Sequence, residues 1–295
     1  MPTPRSLEYH IQGALAAGER VFKTDLRYII RGGSWSFVGQ IATSVAALAL
    51  SVAFSRYLPK EVYGQYKFIL SFVAVLGALS LNGLSNAVFQ STARGFGGAL
   101  AEGFRANLRW SALVFLGAFA SGGYYLLAGH TLVGVGILIG GCTSPFITSA
   151  NLYTSFLSGK KDFRRLTVYG MLASIFPVAA LIAAVFIAPS VLVILSVYFG
   201  ANVLVNMFLY WRTGQQYRKE LQLTDPGTLT YAKHLSVIGI LSTFAGNIDQ
   251  LFLFHYIGAI EVAIYNFAIG VLDQTKGPFK MLDGMLQARF ASGET

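Results

Sequence analysis

The chain has 295 residues, of which 54% are hydrophobic and only 12% charged, and its formal net charge is +9. An average soluble domain carries about 25% charged residues, so this composition excludes an ordinary soluble globule and implies an integral membrane protein. The single cysteine, Cys142, excludes a disulfide framework or a cysteine-based metal site within one chain.

Residues 1–33 hold Arg5, Arg20, Lys23, Arg27 and Arg31, with no separate apolar core and no small-residue cleavage site. They do not read as a secretory signal. Apolar residues at Leu7, Ile11, Leu15, Phe22 and Leu26 have the spacing of an amphipathic helix lying on the cytoplasmic membrane surface. A membrane helix needs about 20 mostly apolar residues. Eight candidate spans follow: 34–54, 68–89, 110–129, 131–156, 166–187, 190–211, 235–257 and 262–283. The third and fourth are split only by Gly129-His130, and the fifth and sixth by Ala188-Pro189-Ser190, a turn signal. Pro145 and Pro177 interrupt the fourth and fifth.

Charge orients this layout, because cytoplasmic segments collect Lys and Arg. With the N-terminus cytoplasmic, the inner segments hold 17 of the 22 basic residues. The outer loops hold three, Arg56, Lys60 and Lys67, and the last two, Lys276 and Lys280, fall in the eighth span. Topology and anionic inner-leaflet lipid account for the net charge, and no nucleic-acid partner is needed to explain it.

The chain repeats itself at an offset of 199 residues. FSRYLPKEVYGQYKFIL (54–70) aligns with FHYIGAIEVAIYNFAI (254–269), so that Tyr57 meets Tyr256, Tyr66 meets Tyr265 and Phe68 meets Phe267. Upstream, Val38 meets Val237, Ile41 meets Ile240 and Ala46 meets Ala245. Six spans separate the copies, an even number, so both run the same way across the bilayer, as in transporters with parallel repeats. The expected architecture is an all-α integral membrane protein of about eight transmembrane helices. Residues 34–211 form a first six-helix lobe, 212–234 a cytoplasmic linker, and 235–295 the first two helices of a second, repeated lobe. A symmetric molecule needs about four more helices, so the chain is expected to be truncated at its C-terminus.

The stretch GGSWSFVGQIATSVAALALSVAFSRYLPKEVYGQYKFILSFVAVLGALSLNGLSNAVFQ (32–90) resembles the start of polysaccharide-biosynthesis flippases, above all in its run from Arg56 to Tyr66. These are the Wzx-type members of the multidrug/oligosaccharidyl-lipid/polysaccharide exporter superfamily. NLYTSFLSGKKDFRRLTVYG (151–170) and NIDQLFLFHYIGAIEVAIYNFA (247–268) resemble the family's fourth helix and its seventh and eighth helices. The resemblance implies two six-helix bundles flanking a cavity that opens alternately to each face. It implies an undecaprenyl-pyrophosphate-linked oligosaccharide as cargo, moved from inner to outer leaflet of a bacterial or archaeal cytoplasmic membrane. Its implied partners are the bilayer, a polysaccharide polymerase and glycosyltransferases.

Polar residues inside apolar spans are costly, about 3 kcal/mol for a charge at mid-bilayer, and so are candidates for function. Asp249 lies past the middle of the seventh span, where it is expected to face the bundle interior as a cavity or coupling site for H⁺, Na⁺ or substrate hydroxyls. A hydrogen bond to a polar neighbour, on its own or another helix, explains it nearly as well. Asn247 lies close by. Asp273 and Lys276 share a helical face, and Lys276 and Lys280 offer cations to a pyrophosphate, although snorkelling to the inner interface suits Lys280 better. Gly277-Pro278 marks a kink or the helix end. Asn202 and Asn206 form a polar stripe one turn apart, suited to sugars or to interhelical hydrogen bonds. Arg56 stands at the outer mouth, as a cargo guide or as an anchor paired with Glu61. Gly64 suits tight packing where the second helix begins. No catalytic residues, metal ligands or cofactor are expected: HExxH, GxSxG and Walker motifs are missing and no large outer loop is available for a membrane enzyme. Alternatives to the flippase are a multidrug or organic-cation antiporter of the same superfamily, which would favour cavity carboxylates, and a non-transporting membrane scaffold.

Overall fold

The computed structural model describes residues 26–275, and the side chains of residues 39–270. The surface segment before residue 26, together with Lys276, Gly277-Pro278, Lys280 and Arg289, lies outside the described residues, as does the side chain of Asp273. The described chain is an all-α membrane protein. Its helices are α1 (Leu26–Tyr57), α2 (Lys60–Gly77), α3 (Leu84–Ala93), α4 (Ala99–Trp110), α5 (Ala112–Leu127), α6 (Thr131–Ala150), α7 (Leu152–Gly159), α8 (Phe163–Ile187), α9 (Val191–Gln216), α10 (Thr228–Tyr256) and α11 (Ala259–Thr275). A single 3₁₀ turn, Glu220–Gln222, lies between α9 and α10. Among the described residues five helical stretches are long and apolar enough to cross a membrane: Ala99–Leu127, Thr131–Gly159, Phe163–Ile187, Val191–Gln216 and Thr228–Tyr256.

Local chemistry sets the helix ends. The Asp162 side chain caps α8 by accepting the Arg165 N–H, and Ser190 caps α9 by accepting from Val193. Pro59 precedes α2, where its missing N–H costs nothing. That start corrects the expected second span in two ways. The helix begins eight residues before Phe68, so Lys67 is two turns inside it and not in an outer loop. The amphipathic run KEVYGQYK is too polar to register as a span, yet one face of it, Tyr63, Gly64 and Tyr66, is buried. The span then breaks at residues 78–83, and α3 follows as a separate short helix. Gly83 ends the break against α10: its N–H donates to Ser236 Oγ at 2.9 Å, and a Cβ there would overlap the Ala232 carbonyl oxygen.

The helices run back and forth between a basic end and a far end. At the basic end the α3–α4 and α7–α8 turns meet the segment joining α9 to α10, with Gly98 N–H donating to the Leu223 carbonyl at 2.7 Å. At the far end the turn after α1 meets the end of α8, where Tyr57 and Phe186 rings are 4.8 Å apart. Two apolar clusters hold the structure. One near the far end joins Phe54, Tyr66 and Ile69 to Ile137, Leu181 and Leu195. One near the basic end joins Leu84, Val88 and Leu100 to Tyr153, Phe156 and Leu209. In lipid such packing rests on close contact between helices, which small residues permit. Gly136 and Gly140 of α6 accordingly lie against Ile69 and Val73 of α2 and Leu195 and Phe199 of α9.

The repeat is visible in the helix ends. α1 stops at Tyr57 and α10 at Tyr256; α2 starts at Lys60 and α11 at Ala259, both at the offset of 199 residues. The second helices of the two copies pack on each other. Gly64 of α2 meets the backbone of α11 so closely that a Cβ would overlap the Ala259 carbonyl oxygen.

Candidate functional site

Between the two apolar clusters lies a cavity of about 590 Å³. α2 contributes Lys67 and Ser71, α6 contributes Ser144 and Thr148, and α9 contributes Asn202. Asn247 and Gln250 of α10, Asn266 of α11 and Asn82 of the α2–α3 break complete its polar lining. Both copies of the repeat therefore face one space.

One hydrogen bond crosses that space between the copies, and a second joins the two helices of the second copy. Ser71 Oγ donates to Gln250 Oε1 at 2.7 Å, and Asn266 Nδ2 donates to the same oxygen at 3.0 Å. The Gln250 Nε2 group makes no hydrogen bond among the described residues and is left as a donor. Asn202 and Asn247 spend their Nδ2 groups on the Tyr198 and Thr243 carbonyls, one turn back, at 2.8 Å each. Their Oδ1 atoms remain as acceptors. Ser144 Oγ is buried with no partner among the described residues. A buried polar atom in that position is satisfied at least cost by a polar ligand. Lys67 is the one charged residue among the described residues that line the cavity, and its Nζ lies 5.6 Å from the centre of the Tyr63 ring, within cation–π range. Among the described residues the cavity thus presents one cation, several amides and hydroxyls, and no carboxylate.

The residues expected from sequence distribute unevenly. Asn202 and Asn247 line the cavity. Asn206 is buried one turn further along α9 and donates to the Asn202 carbonyl at 2.9 Å. Asp249 does not line the cavity. It is exposed, and its Oδ2 accepts a 2.6 Å hydrogen bond from Tyr265 Oη. The reason is helical rotation: Asn247 and Gln250 are three apart and share a face, whereas Asp249 is turned away from it. Arg56 is exposed at the far end of α1, away from the cavity, and makes no ion pair with Glu61. Sequence reasoning missed Lys67, Ser71, Asn82 and Asn266. The repeat held one usable signal, because Lys67 and Asn266 are equivalent at the offset of 199 and each puts a polar group in an apolar helix. Among the described residues no three His, Cys, Asp or Glu side chains gather as a metal site.

A second polar cluster lies at the basic end. Arg94 pairs with Asp225 at 2.8 Å, and Lys160 pairs with Glu220. Ser91 Oγ lies 2.7 Å from Thr228 Oγ1 and donates to Asp225 Oδ2 at 3.2 Å. Tyr217 Oη donates to Asp162 Oδ2 at 2.7 Å and accepts from Arg165 at 2.8 Å. Burial, then the bond to Asp162, pushes the Tyr217 hydroxyl up to about 12. These contacts hold the joining segment 217–228 against the helices that precede it.

Long antiparallel helices around a polar cavity that two repeat copies share define an all-α, multi-pass membrane protein. Two solved structures share the fold. One chain, named "protein A", aligns with a TM-score of 0.62 at 13% identity over 90% of this chain and 66% of its own length. The other, an outward-facing multidrug resistance MATE family transporter of the MOP superfamily, aligns with a TM-score of 0.59 at 16% identity, over 90% and 65%. The chain thus spans just under two thirds of the length of these structures. No curated protein matches the sequence significantly. Residues 29–275 match the family described as polysaccharide biosynthesis protein. The chain belongs to that family.

Proposed function

We propose that the protein moves a lipid-linked oligosaccharide, joined to undecaprenyl pyrophosphate, from the inner to the outer leaflet by alternating access. The supporting observation is the chemistry of the cavity lining. Lys67, the cation among the described lining residues, suits a pyrophosphate, and the Gln250 donor with the Asn202 and Asn247 acceptors suits sugar hydroxyls. A multidrug antiporter for organic cations would be served by a carboxylate at the cavity wall, and none of the described lining residues is acidic. In this reading 34–211 act as one lobe and 235–295 begin a second. The Asp249–Tyr265 pair, outside the cavity, is the candidate for coupling to H⁺ or Na⁺. Glycosyltransferases and a polymerase on either side of the membrane would supply and consume the cargo.

The test is glycan export in cells carrying Lys67→Gln and Lys67→Arg variants at matched abundance. Export should fall about tenfold or more in the glutamine variant, in line with the loss of one charge-assisted contact, and be largely kept in the arginine variant. Wild-type export by Lys67→Gln would sink the assignment of this cavity.

A further inference from the structure

At the basic end, α4 and α10 form a seam that the transport reading leaves unused. Arg105 and Arg109 stand one turn apart on the same face of α4, and both are exposed. Trp110 follows, 43% exposed, where the polar stretch of α4 gives way to the apolar helix α5. Lys233, also exposed, reaches over from α10, and its Nζ lies 5.7 Å from the centre of the Trp110 ring. Lys233 stands at the matching depth of its own helix, just before the apolar run that starts at Leu235.

Three of the surrounding basic residues behave differently. Arg94, Lys160 and Arg165 each have a carboxylate partner, Asp225, Glu220 and Asp162. Arg105, Arg109 and Lys233 make no ion pair among the described residues. The nearest acid along α4, Glu102, buries its Oε2 and pairs with none of them. Lys233 thus lies over an exposed indole, with Arg109 next to it in the chain and Arg105 a turn back within electrostatic range of Tyr210, at the depth where tryptophan settles between headgroups and acyl chains.

We infer that the seam between α4 and α10 binds the headgroup of an anionic phospholipid in the leaflet at the basic end. The argument is charge complementarity at a fixed depth. An anionic headgroup supplies net negative charge to the three cations, whereas a zwitterionic one brings its own cation and repels them. The Trp110 ring packs beside the upper acyl chain. Because Lys233 and Trp110 come from helices on opposite sides of the seam, a bound headgroup bridges them.

The experiment uses the native protein in vesicles of phosphatidylcholine, with Trp35→Phe and Trp211→Phe leaving Trp110 as the one fluorophore of its kind. Brominated phosphatidylglycerol should quench Trp110 at about tenfold lower mole fraction than brominated phosphatidylcholine, since each basic residue strengthens anionic-lipid binding about fivefold. The R105Q/R109Q/K233Q variant should abolish that preference, and R105K/R109K should keep it, which separates loss of charge from loss of folding. Equal quenching by both lipids, or a preference that survives the triple glutamine variant, overturns the site. Displacement of the brominated phosphatidylglycerol by a tenfold smaller amount of a polyprenyl diphosphate also overturns it, because the site would then belong to that lipid.

Discussion

Phe68 and Phe267 occupy the same position in the two copies of the repeat, and each stacks on a ring of the other copy. Phe267 lies on Tyr63 at 4.4 Å, and Phe68 lies on Phe254 at 3.7 Å between centroids. Stacked aromatic pairs contribute about 0.5–1.5 kcal/mol beyond the area they bury. This reciprocal arrangement presses α2 against both α10 and α11 near the far end and leaves the cavity beneath it.

The crossing point of α2 and α11 has no room for a side chain at Gly64. Gly64→Ala should destabilise the protein by about 1–3 kcal/mol, the usual cost of overpacking, because the atom it would meet is the backbone oxygen of Ala259. Gly200→Ala on α9 is the control. Nothing lies within 4 Å of a Cβ there, so it should be neutral or stabilising by up to about 1 kcal/mol. Thermal unfolding in detergent reads both, and equal midpoints for the two variants would refute the close crossing.

Gln250 joins the two copies through one oxygen. Gln250→Leu removes the acceptor of both Ser71 and Asn266 and should cost about 1–3 kcal/mol. In a double-mutant cycle with Ser71→Ala the coupling should be about 0.5–1.5 kcal/mol. A coupling near zero would show that this bond does not link the copies.

Tyr265 and Asp249 form a single unit outside the cavity. If the pair couples transport, Tyr265→Phe should shift the pH or Na⁺ dependence of export in the same direction as Asp249→Asn, with both variants as abundant as wild type. Export that keeps the wild-type ion dependence in both variants would remove the pair from the mechanism.

Alkaline pH tests the basic end. The Tyr217 hydroxyl is raised from the ordinary value of 10.0 to about 12 by burial and by its bond to Asp162. A tyrosine with a raised folded value adds stability that is complete below pH 10 and lost as pH climbs toward 12. Wild type should therefore lose more stability between pH 10 and 12 than Tyr217→Phe, measured by thermal unfolding. Parallel curves would show that the hydrogen bond has no such effect.

The ion pairs that hold the joining segment should matter little for stability and more for local opening. Arg94 is 50% exposed at its side chain, so Arg94→Gln should cost less than about 1 kcal/mol. Proteolysis within residues 217–228 should nevertheless quicken in the Arg94→Gln, Lys160→Gln double variant, and an unchanged cleavage rate would count against the tether.

Sequence by itself determined the membrane class, the long apolar helices from α4 to α10, the basic end and the register of the repeat. These are properties of the local chain: apolar content over about 20 residues, turn residues such as Pro189, and the distribution of Arg and Lys. The repeat register was accurate enough that the paired helix ends at Tyr57 and Tyr256 coincide. Only the tertiary structure decided which polar residues share a cavity. Hydropathy averages around a helix and is blind to its rotation, so it could not turn Asn247 and Gln250 toward the cavity and Asp249 away from it. It also placed Lys67 in a loop, because the first two turns of α2 are amphipathic. Rotation is settled by contacts between segments far apart in sequence, such as Gly64 with Ala259 and Ser71 with Gln250. Those contacts depend on shape and hydrogen-bond direction, which no single stretch of the chain contains.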